Sequence, residues 1–89
     1  MYSVYVTKAV KKTLKKLSKR DQKRIGDAIS SLAINPRPNG VCKLAGENSL
    51  YRIRVGDYRI IYDIQDKKLT VLVVRIGLRG EIYRELWKL

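Results

Sequence analysis

At 89 residues and 45% hydrophobic content, the chain is long enough for one core and is expected to form a single domain over residues 1–89. Lys and Arg number 20 against 8 Asp and Glu, a formal charge of +12. Such a balance points to a polyanion, nucleic acid first, an acidic protein second and a membrane surface third. Histidine is absent, which excludes Ser-His-Asp, Cys-His and His-paired ribonuclease chemistry.

Cys42 stands alone, so neither a disulfide framework nor zinc spacing is present. It is expected to be a small buried hydrophobe. No apolar run approaches 18 residues and no secretory pattern opens the chain. The expectation is a cytoplasmic protein with no membrane partner.

In chain order, residues 2–7 (YSVYVT) alternate polar and apolar and predict a short first strand. From Lys8 the period changes, with Val10, Leu14 and Leu17 at helical spacing. The intervening lysines, Lys8, Lys11, Lys12, Lys15 and Lys16, read first as a solvated face and second as a phosphate- or partner-facing one. Ser18 and Asp21 form a capping pattern that opens a second helix carrying Ile25, Ala28, Ile29, Leu32 and Ala33 on one face. The run 35–40 (NPRPNG) stops it. Residues 41–48 read as a connector that bends at Gly46.

Residues 50–62 (LYRIRVGDYRIIY) predict a β-hairpin turning at Gly56-Asp57. A two-residue loop pairs Val55 with Tyr58, Arg54 with Arg59, Ile53 with Ile60, Arg52 with Ile61 and Tyr51 with Tyr62. One face then carries Tyr51, Tyr58 and Tyr62 as core, and the other carries Arg52, Arg54 and Arg59. Like charges directly opposite each other are destabilising, so Arg54 across from Arg59 suggests an anion held between them. A turn at 65–68 leads to residues 69–76 (LTVLVVRI), apolar on both faces as in a central strand, with Gly77 ending it. Ile82, Leu86 and Trp87 in the tail fit a short terminal helix over 78–89. The order β-α-α-β-β-β-α gives an α+β fold whose sheet is mainly antiparallel, with the first strand at an edge.

Arg75, Arg79 and Arg84 continue the basic series, with Tyr83 among them and Gly77 and Gly80 flanking Arg79. Arginine suits bidentate phosphate contact, and tyrosine can stack on a base or handle a proton. Arg52, Arg54, Arg59, Arg79 and Tyr83 are therefore expected around one patch able to bind and cleave a phosphodiester. Tyr83 equally fits a packing role, Arg75 fits a partner for Asp63, and Lys43 fits either loop surface or phosphate contact.

The series KLAG (43–46), YRIRVGDYRIIY (51–62) and IGLRGEIYR (76–84) resembles the RelE/ParE superfamily of toxin–antitoxin toxins, over essentially the whole chain. RelE-like members are ribosome-dependent endoribonucleases that cut messenger RNA in the decoding site, and ParE-like members poison DNA gyrase. Arg79 and Tyr83 match the RelE-like ending, so the resemblance implies an endoribonuclease. It implies Arg52, Arg54, Arg59, Arg79 and Tyr83 as catalytic, Lys43, Arg75 and Arg84 as RNA-binding, and no metal or cofactor. Implied partners are a cognate RelB-like antitoxin, the ribosome and mRNA, with operator DNA reached only through the antitoxin. The sequence departs from the family where some members carry lysines at the positions of Arg52 and Arg54. Many relatives also carry a His or a further basic residue near Arg79, where the neighbours here are Leu78 and Gly80. The rival readings are a gyrase inhibitor and a nucleic-acid-binding module without catalysis.

Overall fold

The structure, a computed structural model, describes residues 1–44 and 50–78. Strand β1 (Ser3–Val6) leads to helices α1 (Lys8–Lys16) and α2 (Lys19–Ser31), then strands β2 (Cys42–Lys43), β3 (Leu50–Val55), β4 (Tyr58–Gln65) and β5 (Thr70–Leu78). A 3₁₀ turn (Asp66–Lys68) joins β4 to β5. The sheet order is β1-β5-β4-β3-β2, with β1 parallel to β5 at one edge and every other pair antiparallel. This is the expected α+β class, two helices against a five-stranded mixed sheet. The expected bend at Gly46 and the terminal helix beyond Leu78 lie outside the described residues.

Both helices start where a hydroxyl can replace the missing intrahelical partner. The Thr7 hydroxyl accepts from the Val10 N–H at 3.2 Å, and that of Ser18 from the Asp21 N–H at 3.1 Å. Each then buries its apolar stripe. Val10 from α1 and Ile25 and Ile29 from α2, with Leu32 just beyond, meet Ile53, Ile60, Tyr62, Ile64, Val71, Val73 and Ile76 of the sheet. Every one of those sheet residues lies on the face that excludes the hairpin arginines.

The hairpin register is the one its two-residue turn dictates, including Arg54 opposite Arg59. Gly56 takes φ +59 in that turn, a conformation that suits glycine. Three expectations are corrected. Residues 42–43 are a fifth strand and not connector, since they pair with Tyr51 and Arg52. β5 continues through Gly77 to Leu78, because Gly77 still pairs with Arg59. It also starts one residue late, since Leu69 adopts the left-handed region (φ 48) to leave the 3₁₀ turn.

The turn after α2 is pinned from several directions. The Tyr62 hydroxyl donates to the Pro36 carbonyl at 2.7 Å within the core. Arg37 forks onto Asp66 at 2.9 and 3.1 Å, reaches the Tyr51 hydroxyl at 3.3 Å and lies 5.0 Å from the centre of that ring. Tyr51 in turn stacks on Tyr62. The Tyr2 hydroxyl donates to Asp66 at 2.7 Å. Arg37 and then Tyr2 hold the Asp66 carboxyl at about 2, and burial pushes the Tyr62 hydroxyl up to about 12. Among the described residues no helix is long and apolar enough to cross a membrane.

Candidate anion site at the open edge of the sheet

Register places two rows of side chains on the face opposite the main core. One runs Cys42, Arg52, Ile61, Arg75 across β2, β3, β4 and β5; the next runs Arg54, Arg59, Gly77. Val55 and Tyr58 flank the two-residue turn and form a hydrogen-bonded pair, so Arg54 and Arg59 form the next, non-hydrogen-bonded one. In such pairs side chains stand closer together, and two guanidiniums repel. On its other side the residue in register with Arg59 is Gly77, which has no side chain.

Arg59 is only 6% exposed. Among the described residues no carboxylate pairs with it. Arginine is almost never this buried without a partner. A cavity of about 620 Å³ opens at this edge of the sheet. Arg52, Arg54 and Arg59 line it together with Ile53 and Val55, and its far wall is Ala28 and Ser31 of α2 and the turn residues Pro38, Asn39 and Gly40. Among the described residues no carboxylate is in that lining. Three cationic side chains converging on one cavity make a candidate anion site, and the fork of each suits a phosphate.

The comparisons agree with this fold and with one another. Over residues 4–83 the chain matches the family described as ParE toxin of type II toxin-antitoxin system, parDE. The chain belongs to the RelE/ParE superfamily. It is similar to the archaeal RelE of Pyrococcus horikoshii, solved in complex with RelB, with TM-score 0.80 and 34% identity over 89% of this chain and 96% of that one. The isolated RelE toxin of E. coli superposes with TM-score 0.76 at 26% identity, covering 99% and 97%. Toxin RelE1 of Methanocaldococcus jannaschii is 28% identical over 86 residues, 93% of this chain and 96% of that protein. This is a type II toxin of RelE type.

In this RelE-type toxin the structure brings three of the sequence-derived site residues, Arg52, Arg54 and Arg59, to one cavity. Arg75 shares their face one strand further on, separated from Arg52 by the fully buried Ile61. Lys43 is exposed on β2 and pairs with Tyr51, which puts it on the opposite face from the arginines. Arg79, Tyr83 and Arg84 lie outside the described residues. Cys42 is a correction: it is exposed, and Arg52 donates to its Sγ at 3.0 Å. β2 is the outermost strand, so among the described residues no further strand lies beside it. Among the described residues no group of three or more His, Cys, Asp or Glu side chains is placed to hold a metal.

Sequence reasoning missed the far wall. Ser31 and Asn39 are ordinary surface types, and only the return of the turn to β3 brings them to the arginines. It also missed Arg37. A basic residue between two prolines in NPRPN was the available signal that this turn is held rigidly.

Proposed function

We propose that this chain, acting as one domain over residues 1–89, is a ribosome-dependent endoribonuclease that cuts mRNA in the decoding site. The observation that carries the reading is Arg59, buried and without a carboxylate partner among the described residues, beside Arg52 and Arg54 on one cavity. The 2′-hydroxyl of the RNA attacks the adjacent phosphorus, forming the 2′-oxygen–phosphorus bond as the bond to the 5′ oxygen breaks. The products are a 2′,3′-cyclic phosphate and a 5′-hydroxyl. Arg52, Arg54 and Arg59 carry the charge that builds on the phosphoryl oxygens, the kind of fixed positive charge that lowers such barriers. Arginine stays protonated, so these groups stabilise and do not abstract the 2′ proton. Tyr83 is assigned to stack the attacked base or take that proton, and Arg79 to steady the leaving oxygen. Lys43, Arg75 and Arg84 are assigned to the RNA backbone, and no metal or cofactor takes part. The ribosome supplies much of the substrate orientation.

The partner that restrains it is an acidic, RelB-like antitoxin, a reading supported by the charge of +12 and by the RelE–RelB complex of P. horikoshii. Operator DNA is reached only through that antitoxin, and the whole cycle takes place in the cytoplasm. The test is primer extension on a translated message, with ribosomes present or omitted. Codon-phased cuts only in their presence support the reading, and Arg59→Ala should slow cutting by about 10²–10³-fold. The ParE description of the matching family favours a second reading, inhibition of DNA gyrase. Intact message together with blocked supercoiling by purified gyrase would select it.

A further inference from the structure

Arg37 stands between Pro36 and Pro38 in the turn after α2. Its guanidinium forks onto both oxygens of Asp66, at 3.1 Å to Oδ1 and 2.9 Å to Oδ2. That carboxylate is itself fixed, because the Tyr2 hydroxyl donates to Oδ1 at 2.7 Å. Nη2 also reaches the Tyr51 hydroxyl at 3.3 Å, and the guanidinium lies 5.0 Å from the centre of the Tyr51 ring. The Arg37 N–H donates to the Asn35 side chain at 3.0 Å. An ion pair as exposed as this one, 41% and 56% at the two side chains, adds little to stability. The turn is already tied to the core by the Tyr62 hydroxyl on the Pro36 carbonyl. What the fork adds is direction. Proline rings fix φ at 36 and 38, and a residue before proline is held to extended backbone. Rotation at Arg37 is thus the main freedom left to residues 38–40, and the grip on its side chain removes it.

We propose that Arg37 is a positioning residue: held on Asp66 and Tyr51, it sets where residues 38–40 stand across the cavity from Arg54 and Arg59. The proposal rests on the endoribonuclease reading above. Pro38, Asn39 and Gly40 supply the turn side of that cavity. Asn39 and Gly40 are exposed, and Gly40 takes φ +85 with open space where a Cβ would stand. Such residues cannot hold a wall by packing of their own. Its position comes from Arg37 on one side and, on the other, from the Val41 N–H on the Pro38 carbonyl at 3.1 Å. A misplacement of about 1 Å beside reacting groups can cost about 10²-fold in rate. The charge of Arg37 is already met by Asp66, so it works through the turn and not on RNA.

The test is ¹⁵N relaxation on the full chain together with single-turnover cutting of a translated message, for wild type, Arg37→Lys and Arg37→Ala. Lysine keeps the charge and can still meet Asp66, but it has no planar fork. Arg37→Lys should melt within about 4 °C of wild type. It should nevertheless cut about tenfold more slowly at saturating ribosomes, with the half-saturating concentration moving less than about twofold. In the same variant the order parameters of the Asn39 and Gly40 amides should fall from roughly 0.85 towards 0.6. A rate loss that only follows the unfolded fraction overturns the proposal, as does a full rate in either variant. So does slower cutting with both amides as ordered as in wild type, because Arg37 then acts otherwise than through the turn. If wild type itself leaves the message intact, the endoribonuclease reading fails and the amides alone decide. Order lost in Arg37→Ala then upholds the clasp, and order kept overturns it.

Discussion

Replacing Arg59 by Met should make this protein more stable and less able to hold phosphate. Arg59 is 6% exposed, stands directly opposite Arg54 and has no carboxylate partner among the described residues. Opposed like charges on neighbouring strands cost about 0.2–1 kcal/mol. Exchanging buried ionic groups for apolar side chains of similar volume stabilises proteins by about 1–4 kcal/mol. Here a single charge is removed and the side chain borders an open cavity, so the lower half of that range applies, about 2 kcal/mol. In a domain of this size that raises the melting temperature by roughly 8–16 °C. The assay is urea and thermal unfolding at low ionic strength, with and without phosphate. Phosphate at a hundred times its Kd should stabilise the wild type by about 2.7 kcal/mol and the variant hardly at all. A variant less stable than wild type by 1 kcal/mol or more, or one that phosphate stabilises equally, would refute the argument.

Tyr62 is neutral in the fold, and burial raises its hydroxyl to about 12. A raised acid keeps its full contribution below pH 10 and loses it as pH climbs from 10 through 12. Tyr62→Phe leaves the Pro36 carbonyl without its donor and should cost about 1–2 kcal/mol at pH 7, and urea melts should show the gap closing at pH 11. An unchanged gap would mean that the hydroxyl is not buried as described. Asp66 runs the other way: Arg37 and then Tyr2 lower its carboxyl from 3.8 to about 2, so its contribution holds above pH 4 and is lost as pH falls towards 2. Asp66→Asn should flatten the acid limb of a melting-temperature profile, and an identical limb would show that the Arg37 fork does not form in solution. Gly56→Ala must hold φ +59 with a Cβ 2.9 Å from the Arg24 guanidinium, and should cost about 1–2 kcal/mol in chemical denaturation. Since Arg24 can swing aside, a larger loss would point to damage beyond the turn.

Much of the site was legible because it is local. Alternation and a two-residue Gly-Asp turn leave one register for the hairpin, and that register alone puts Arg52, Arg54 and Arg59 on one face with two of them opposed. The helix starts were equally readable, since Ser18 and Asp21 interact within one turn of chain. Other features depend on segments distant in sequence meeting, and nothing in their own residues specifies that. β2 is two residues long and exists only because Tyr51 and Arg52 offer it an edge. Cys42 is exposed because the sheet ends there, although its residue type favours burial. Ser31 and Asn39 become cavity wall only when the turn held by Tyr62 and Arg37 returns to β3. Periodicity could assign Arg59 to a face, but only the packed sheet, with Arg54 on one side and Gly77 on the other, turned a surface residue type into a buried charge without a carboxylate partner among the described residues.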